Sequence, residues 1–398
     1  MNIFKKIYCR IFQKVMFLAI PLLPYREPTL LNETKEIIYI LKNKKVNSIL
    51  LMTGKSVRRL GYTNELENLL EANNIKYVLF DETLPNPTSD NVEKAKELYI
   101  SNQCESIIAF GGGSVMDCAK AVGARIVRPK IPLKKMQGLI KIRKSLPLLI
   151  AIPTTAGTGS EVTVASVIID SNTQHKFVIS DFCLIPHYAL LNPLVTVDLP
   201  KHITSTTGMD ALTHAVEAYI GKSRTKKTKK AAEEAVKLIF DNLEKVYNEP
   251  NNLEARKNML YASYLAGKAF TVSYVGYVHA IAHTLGGKYG VSHGLANAII
   301  LPKVLRAYGK GVHKRLGQLA RAIGLADNNI SNERASEIFI LCIEEMNRRM
   351  EIPNRFDCIK KDDIPAMAKT AEKEGNPLYP VPLLWDVKEL EKIYLEIC

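Results

Sequence analysis

The sequence predicts a fold of mixed class: an α/β N-terminal domain built on a parallel sheet, followed by an all-helical C-terminal domain. Three observations predict it. Apolar β-like runs alternate with stretches of 3.6-residue periodicity as far as about residue 200. Beyond Leu199-Pro200 the strand pattern stops, and helical stretches such as AAEEAVKLIFDNLEKVYN, RKNMLYASYLAGKAF and RASEIFILCIEEMNRRM take over. Two of the strand-like runs pass straight into glycine-containing turns, the arrangement that places backbone amides at the carboxyl ends of a parallel sheet. At 398 residues and 47% hydrophobic content the chain can bury two sizeable cores.

Residues 1–30 read MNIFKKIYCRIFQKVMFLAIPLLPYREPTL, with a basic start and an apolar run from Val15 to Pro24. The outline is that of a secretory signal, but the run is too short to span a bilayer and no small-residue cleavage site follows. Phe4, Ile7, Ile11, Val15 and Leu18 recur at helical spacing with lysines and arginines between them. The expectation is an amphipathic extension packed on the body of the protein or of a partner subunit. Peripheral contact with an anionic membrane is the lesser alternative.

Residues 31–200 form the predicted α/β domain, in which VNSILLMT, IKYVLFDE, SIIAFGG and PLLIAIPTT are the clearest strands. The intervening periodic segments fit crossover helices of a parallel sheet. In IIAFGGGSVMDCAKAVGA (107–124) a strand runs through three glycines and a serine into a helix, so backbone amides opening that helix face an anion such as a pyrophosphate. LLIAIPTTAGTGSEVTVASVI (148–168) repeats the idea with Thr154, Thr155, Gly157, Thr158 and Gly159. Neither is GxGxxG, and either alone could be a plain tight turn; two in succession point to one extended phosphate-bearing cofactor across the sheet edge.

Residues 201–398 form the predicted helical domain. Asp210 and His214 lie four apart in GMDALTHAVEAY, and YVHAIAHTLGGKYGVSHG places His279 and His283 four apart and delivers His293 after a glycine-containing turn. Four of the eight histidines thus fall in two short stretches. An isolated helical histidine is more often a core or surface residue, but this clustering makes Asp210, His214, His279 and His293 a ligand set for one divalent ion. One carboxylate and three imidazoles suit iron(II) or zinc, whereas magnesium and calcium take oxygen ligands.

With these motifs in hand, the chain resembles the iron-containing (group III) alcohol dehydrogenases. The resemblance rests on LPNPT (84–88), GGGSVMDCAK (111–120), IPTTAGTGSEVT (152–163), TGMDALTHAVEAY (207–219) and VHAIAHTLGGKYGVSHG (278–294), in order from about residue 30 to the C-terminus. It implies a dehydroquinate synthase-like fold: a dinucleotide-binding α/β domain and an all-α metal-binding domain, with the active site in the cleft between them. It further implies Asp210, His214, His279 and His293 as metal ligands, Fe2+ as the metal with Zn2+ as the alternative, and His283 as the catalytic histidine near nicotinamide and substrate. Gly112, Gly113, Ser114 and Asp117 would line the pyrophosphate, with Asn86, Thr154, Thr155, Thr163 and Lys176 completing the cofactor site.

Two positions depart from the family pattern. NAD-preferring relatives carry an aspartate after the first strand, where SILLMTGKSVRRLG has Gly54. Without that carboxylate a 2′-phosphate meets no repulsion, and Lys55, Ser56, Arg58 and Arg59 stand nearby, so NADP is expected over NAD. The bland alternative is a capped helix start with a solvated basic first turn. In ALLNPLVTVDLP, Asn192 replaces a common aspartate.

The reaction expected is hydride transfer between a small primary alcohol or aldehyde and the nicotinamide, with a metal Lewis acid at the oxygen and His283 relaying the proton. Alternatives are a glycerol dehydrogenase-like or other polyol oxidoreductase, a lyase of the dehydroquinate synthase type, or a metal-dependent hydrolase with merely structural glycine turns. Phe270, Tyr274, Tyr277 and Trp385 are substrate-pocket candidates, core packing being the plainer role of each.

Seven scattered cysteines without a CxxC fit reduced thiols and a cytoplasmic setting rather than a disulfide framework. The net charge of +14 is concentrated in residues 125–144, with eight Lys or Arg and no acid, and in GKSRTKKTKK (221–230), with six. Lacking interleaved aromatics or a nucleic-acid fold, these runs read as solvated loops, so no nucleic-acid partner is expected. The expected partners are a small alcohol or aldehyde and a second copy of the chain, as a homodimer or larger homo-oligomer.

Overall fold

The computed structural model describes residues 1–398, in two compact units: Pro24–Asp198, and Met1–Leu23 together with Leu199–Cys398. Helix α1 (Ile3–Ala19) therefore belongs with the C-terminal unit.

The first unit contains strands β1 (Thr29–Leu31), β2 (Ser48–Met52), β3 (Lys76–Phe80), β4 (Ser106–Gly111), β5 (Gly138–Leu139), β6 (Leu148–Pro153), β7 (Ala165–Ile169), β8 (Lys176–Ser180) and β9 (Tyr188–Leu190). Helices α2 (Thr34–Asn43), α3 (Lys55–Arg59), α4 (Asn64–Ala72), α5 (Ser89–Ser101) and α6 (Gly113–Val127) are interleaved. Six strands form a parallel sheet in the order β1-β9-β6-β4-β2-β3. The central strands read as unbroken apolar runs because both faces are covered. Leu50, Met52, Ile107, Ala109, Leu149 and Ala151 enter one core, while Ile49, Leu51, Ile108, Phe110, Ile150 and Ile152 enter the other, following the two-residue alternation of a strand.

Three features were not legible in the sequence. β1 and β9, three residues each, are too short to show periodicity, and they pair with one another at the sheet edge. A second sheet, β5-β8-β7, includes the antiparallel hairpin β7–β8. Asn192 caps a short 3-10 turn by accepting the Leu194 N–H at 3.0 Å, a task that asparagine and aspartate perform alike.

The C-terminal unit consists of α7 (Lys201–Ile220), α8 (Lys226–Asn248), α9 (Leu253–Ser273), α10 (Tyr277–Tyr289), α11 (His293–Tyr308), α12 (His313–Ala322), α13 (Asn332–Arg349), α14 (Ile364–Gly375) and α15 (Val387–Glu396), joined by α1. α7 is buried from Gly208 through Ile220, as its lack of a polar face requires, and packs against α8, α9 and α11. α10 packs against α11 and α14. Helices α7, α10 and α11 thus bring the two histidine stretches into one neighbourhood.

α1 forms over the predicted residues, but the face expected to pack inward is the exposed one. Cys9 and Gln13 are its buried residues, whereas Phe4, Ile7, Ile11, Val15 and Leu18 are exposed. The reason is the proline-rich segment 377–382, whose carbonyls need partners. Gln13 Nε2 donates to the carbonyls of Pro377 (3.1 Å) and Tyr379 (2.7 Å), and the Arg10 guanidinium donates to those of Val381 (2.7 Å) and Pro382 (2.9 Å). No helix is long and apolar enough to cross a membrane.

Candidate active site

In the C-terminal unit, Asp210 and His214 project from one face of α7, His279 from α10, and His293 from the first turn of α11. Each offers a donor atom, and the four atoms lie within 4.8 Å of one another. Asp210, His214 and His279 are buried, and His293 is partly exposed.

The orientation of His279 follows from a residue that sequence reasoning missed. Glu217, one turn beyond His214 on α7, places Oε2 2.6 Å from His279 Nδ1 and accepts the N–H groups of Gly276 (2.8 Å) and Val278 (2.9 Å). Gly276 is required there, since a Cβ at that residue would come within 2.6 Å of Glu217 Oε1. Burial raises the Glu217 carboxyl to about 7, against the pull of these N–H donors. Burial, then the charges of His214, His293 and His283, hold His279 well below the usual imidazole value. A neutral His279 that gives its Nδ1–H to Glu217 turns the Nε2 lone pair towards Asp210, His214 and His293, the arrangement a metal ligand needs. The only hint in the sequence was the placement of Glu217 seven residues after Asp210, on the same helical face.

Asn297, also unforeseen, lies one turn after His293. Its Nδ2 is 2.6 Å from Asp210 Oδ1, 3.1 Å from His293 Nε2 and 3.3 Å from His279 Nε2. One small donor group thus sits where two ring nitrogens and a carboxylate oxygen converge. Three imidazoles and a carboxylate, with acceptor atoms aimed at a common point, fit a divalent transition metal ion.

His283 stands one helical turn from His279, its ring stacked on that of His293 with centroids 5.2 Å apart. Its Nδ1 meets Glu374 Oε1 of α14 at 2.7 Å, and Tyr379 Oη donates to the same oxygen at 2.8 Å. Burial pushes the Glu374 carboxyl up, but His283 and Tyr379 outweigh it and leave it below the ordinary range, hence ionised near neutrality. His283 is thereby anchored through Nδ1.

The aromatic pocket candidates divide. Phe270 stacks on His214, ring centroids 4.2 Å apart, and so borders the Asp210–His214–His279–His293 cluster. Tyr277 and Trp385 are core: they stack on each other at 5.2 Å, and Tyr277 Oη bonds Asn376 and the Trp385 backbone. Tyr274 is the C-cap of α9, with φ at +63°.

In the α/β unit, the carboxyl ends of β2, β4 and β6 carry the predicted cofactor residues side by side. β4 pairs with both β2 and β6, and Gly111 lies opposite Pro153, so the two glycine-containing turns are neighbours. Because β3 lies on one side of β2 and β4 on the other, these ends stand where a doubly wound sheet reverses direction, the usual place for a dinucleotide. The turns interlock closely, since a Cβ on Gly113 would meet Thr158 Cγ2 at 2.8 Å. Gly112 caps α6, Ser114 Oγ donates to the carbonyl of Pro85 next to Asn86, and the Thr154 N–H bonds the Gly111 carbonyl at 3.1 Å. Thr155 lies against Gly112, where a Cβ would come 3.3 Å from its Oγ1. Lys176 Nζ reaches Asn86 Oδ1 at 3.5 Å.

Asp117 and Thr163 are bound into the frame below these turns. Asp117 accepts from Ser160 Oγ (2.8 Å) and the Val167 N–H (3.0 Å), and buried Lys120 donates to Ser160 Oγ (2.9 Å) and Thr163 Oγ1 (3.0 Å). Burial lowers Lys120 to about 8 and raises the Asp117 carboxyl. At the end of β2, Gly54 caps α3, with Lys55, Ser56 and Arg59 exposed. Arg58 is bound by Glu67 and by Thr63 Oγ1.

Both halves match known proteins. Residues 31–193 match the family described as iron-containing alcohol dehydrogenase, and residues 204–397 match the Fe-containing alcohol dehydrogenase family, C-terminal. The chain is 37% identical over 380 residues to a 1,3-propanediol dehydrogenase of Citrobacter freundii, covering 94% of this chain and 97% of that protein. It is 35% identical to an NADPH-dependent butanol dehydrogenase of Clostridium saccharobutylicum, over 79% of this chain and 80% of that one. It is also 32% identical to an NAD-dependent methanol dehydrogenase of Bacillus methanolicus, over 85% and 89% respectively. Among solved structures, a 1,3-propanediol oxidoreductase superposes with a TM-score of 0.89 at 34% identity, covering 94% of this chain and all of that one.

Proposed function

The chain belongs to the iron-containing alcohol dehydrogenase family, and from that premise we propose that it is a metal-dependent oxidoreductase interconverting small primary alcohols and their aldehydes, with NADP favoured over NAD. The observation that carries the reading is the convergence of Asp210, His214, His279 and His293 within 4.8 Å, beside His283. Family membership sets aside the hydrolase and lyase alternatives.

Asp210, His214, His279 and His293 would hold the metal, with Fe2+ preferred to Zn2+ on family grounds. When bound, such an ion supplies Lewis acidity that makes an alcohol easier to ionise and an aldehyde easier to reduce. Glu217 fixes the tautomer of His279 and keeps its Nε2 in place. His283, anchored at Nδ1 by Glu374, takes the hydroxyl proton at Nε2 during oxidation and returns it during reduction. Gly112, Gly113, Ser114, Thr154 and Thr155 would receive the pyrophosphate of the nicotinamide cofactor, with Asn86, Asp117, Thr163 and Lys176 shaping the rest of its bed. Phe270 borders the ligand cluster and would limit the bulk of the substrate.

The named relatives oxidise or reduce small unbranched molecules by their names, which supports methanol-to-butanol-sized alcohols and 1,3-diols as the first candidates. These names include both nicotinamides, so the NADP preference rests on the Gly54 turn of this chain. The test is a panel of primary alcohols, 1,3-diols and aldehydes, each assayed with both nicotinamides on metal-stripped and reconstituted protein. Turnover should be lost on stripping and restored by Fe2+. Undiminished turnover of the stripped protein would overturn the reading.

A further inference from the structure

The exposed face of α1 calls for an explanation. Residues 1–30 precede the segment that matches the family, so the helix lies outside its common core. It is held by polar contacts: Gln13 and Arg10 on the carbonyls of residues 377–382, with Cys9 buried between them. The opposite face presents Ile3, Phe4, Ile7, Tyr8, Ile11, Val15 and Leu18 at helical spacing, continued by Leu22, with Phe4 78% and Leu22 86% exposed. An ordinary surface helix buries its apolar stripe and shows its polar one, and α1 does the reverse.

The charges of the helix itself have one sign, while Glu372 and Glu389 of the body lie beside it. Residues 1–25 contain Lys5, Lys6, Arg10 and Lys14 and no acidic residue. Lys6 and Lys14 are exposed, and Lys5 is exposed while reaching Glu372 at 2.6 Å. Beside the helix runs a groove of about 600 Å3, whose lining combines Ile7, Ile11, Leu383, Leu384 and Trp385 with Lys6, Arg10 and Glu389. An apolar helical face bordered by lysines matches an acyl layer below a layer of anionic headgroups. Two copies of the same helix laid face to face would set basic charge against basic charge, which disfavours a second α1 as the occupant.

We propose that α1 docks this enzyme onto anionic lipid bilayers, lying in the plane of the interface with Phe4, Ile7, Ile11, Val15 and Leu18 among the acyl chains and Lys6 and Lys14 at the headgroups. The attachment is peripheral, because the helix is not long and apolar enough to span the membrane. It adds a location for the activity and does not alter the chemistry.

The experiment is co-sedimentation of the full-length protein with vesicles of phosphatidylglycerol and phosphatidylcholine in equal parts, and with phosphatidylcholine alone. The protein should pellet with the anionic vesicles, remain largely in the supernatant with the neutral ones, and be released by added salt. Lys6→Glu with Lys14→Glu should lower anionic-vesicle binding by about tenfold or more. Phe4→Ser with Leu18→Ser should abolish binding at any salt concentration. Both double variants should keep wild-type far-UV circular dichroism and thermal midpoint, which separates loss of docking from loss of folding. Wild-type protein that stays in the supernatant with anionic vesicles at low salt overturns the proposal. So does undiminished pelleting of the folded Phe4/Leu18 variant. If that variant shifts to a smaller particle in analytical ultracentrifugation while the wild type ignores vesicles, the face joins copies of the chain and the lipid proposal is wrong. These readouts involve no turnover, so the proposal stands or falls separately from the assigned reaction.

Discussion

Glu217 Oε2 lies 2.6 Å from Nδ1 of His279, and both side chains are buried. The contact joins α7 to α10 and decides which imidazole nitrogen faces Asp210, His214 and His293. Glu217→Gln keeps the shape but replaces one acceptor with an amide NH2, which must then face the Gly276 or Val278 N–H. Removing such a partner of a metal-ligating histidine typically costs 10- to 100-fold in metal affinity. We expect the variant to fold, to carry less iron after dialysis, and to recover activity at raised Fe2+. Equal metal retention by variant and wild type at limiting Fe2+ would show that Glu217 is only a helix cap.

The cluster of Asp210, His214, His279 and His293 was legible in the sequence because α-helices impose a four-residue repeat, which set Asp210 with His214 and His279 with His283. Their partners were not. Glu217, Asn297 and Glu374 are ordinary helix residues locally, and they gain meaning only when α7, α10, α11 and α14 pack. The central strands were legible for a similar reason: burial on both faces leaves an unbroken apolar run. The face on which α1 docks was misjudged because the partner of Gln13 and Arg10 is a carbonyl-rich segment more than 360 residues away, and hydropathy carries no record of bare carbonyls.

His283 and Glu374 should separate from the ligand set in experiment. His283→Ala removes no ligand, so the metal should remain while turnover falls by about a hundredfold or more. Glu374→Gln weakens the contact that anchors His283 at Nδ1, so turnover should fall while metal content stays at the wild-type level. Loss of metal from His283→Ala would place His283 among the ligands instead.

His187 predicts an acid limit to the stability of the α/β unit. Its Nδ1 accepts the Leu149 N–H at 3.0 Å, and burial, followed by the charges of Arg26 and Lys44, lowers the imidazole to about 4. An unfolded histidine titrates near 6.5, so between about 6.5 and 4 the unfolded chain binds the extra proton. Stability is therefore fully present above about 6.5 and is lost as the pH falls towards 4, by on the order of 1 to 2 kcal/mol after allowance for partial exposure. His187→Asn can keep an acceptor for Leu149 without the titration. Denaturant midpoints at neutral pH and in the acid half of that window should diverge less for the variant than for the wild type. Equal divergence would assign the acid sensitivity to other groups.

The proposed preference for NADP turns on the end of β2, where Gly54 caps α3. A Cβ at Gly54 would meet nothing nearer than Thr83 O at 3.8 Å, and the backbone there has negative φ, so an aspartate fits without rearrangement. At this position a carboxylate binds the ribose hydroxyls of NAD and repels the 2′-phosphate of NADP. Arg58 is already bound by Glu67 and Thr63, which leaves Ser56, Lys55 and Arg59 as the groups able to receive a phosphate. A charge-assisted contact contributes about 1.5 to 3 kcal/mol, so Gly54→Asp should move the NADPH-to-NADH ratio of kcat/KM towards NADH by tenfold to a few hundredfold. Arg59→Ala should raise the KM for NADPH and leave that for NADH nearly unchanged. If wild-type kcat/KM is already higher with NADH, or Gly54→Asp leaves the ratio where it was, the turn is a solvated surface and the adenosine end is read elsewhere.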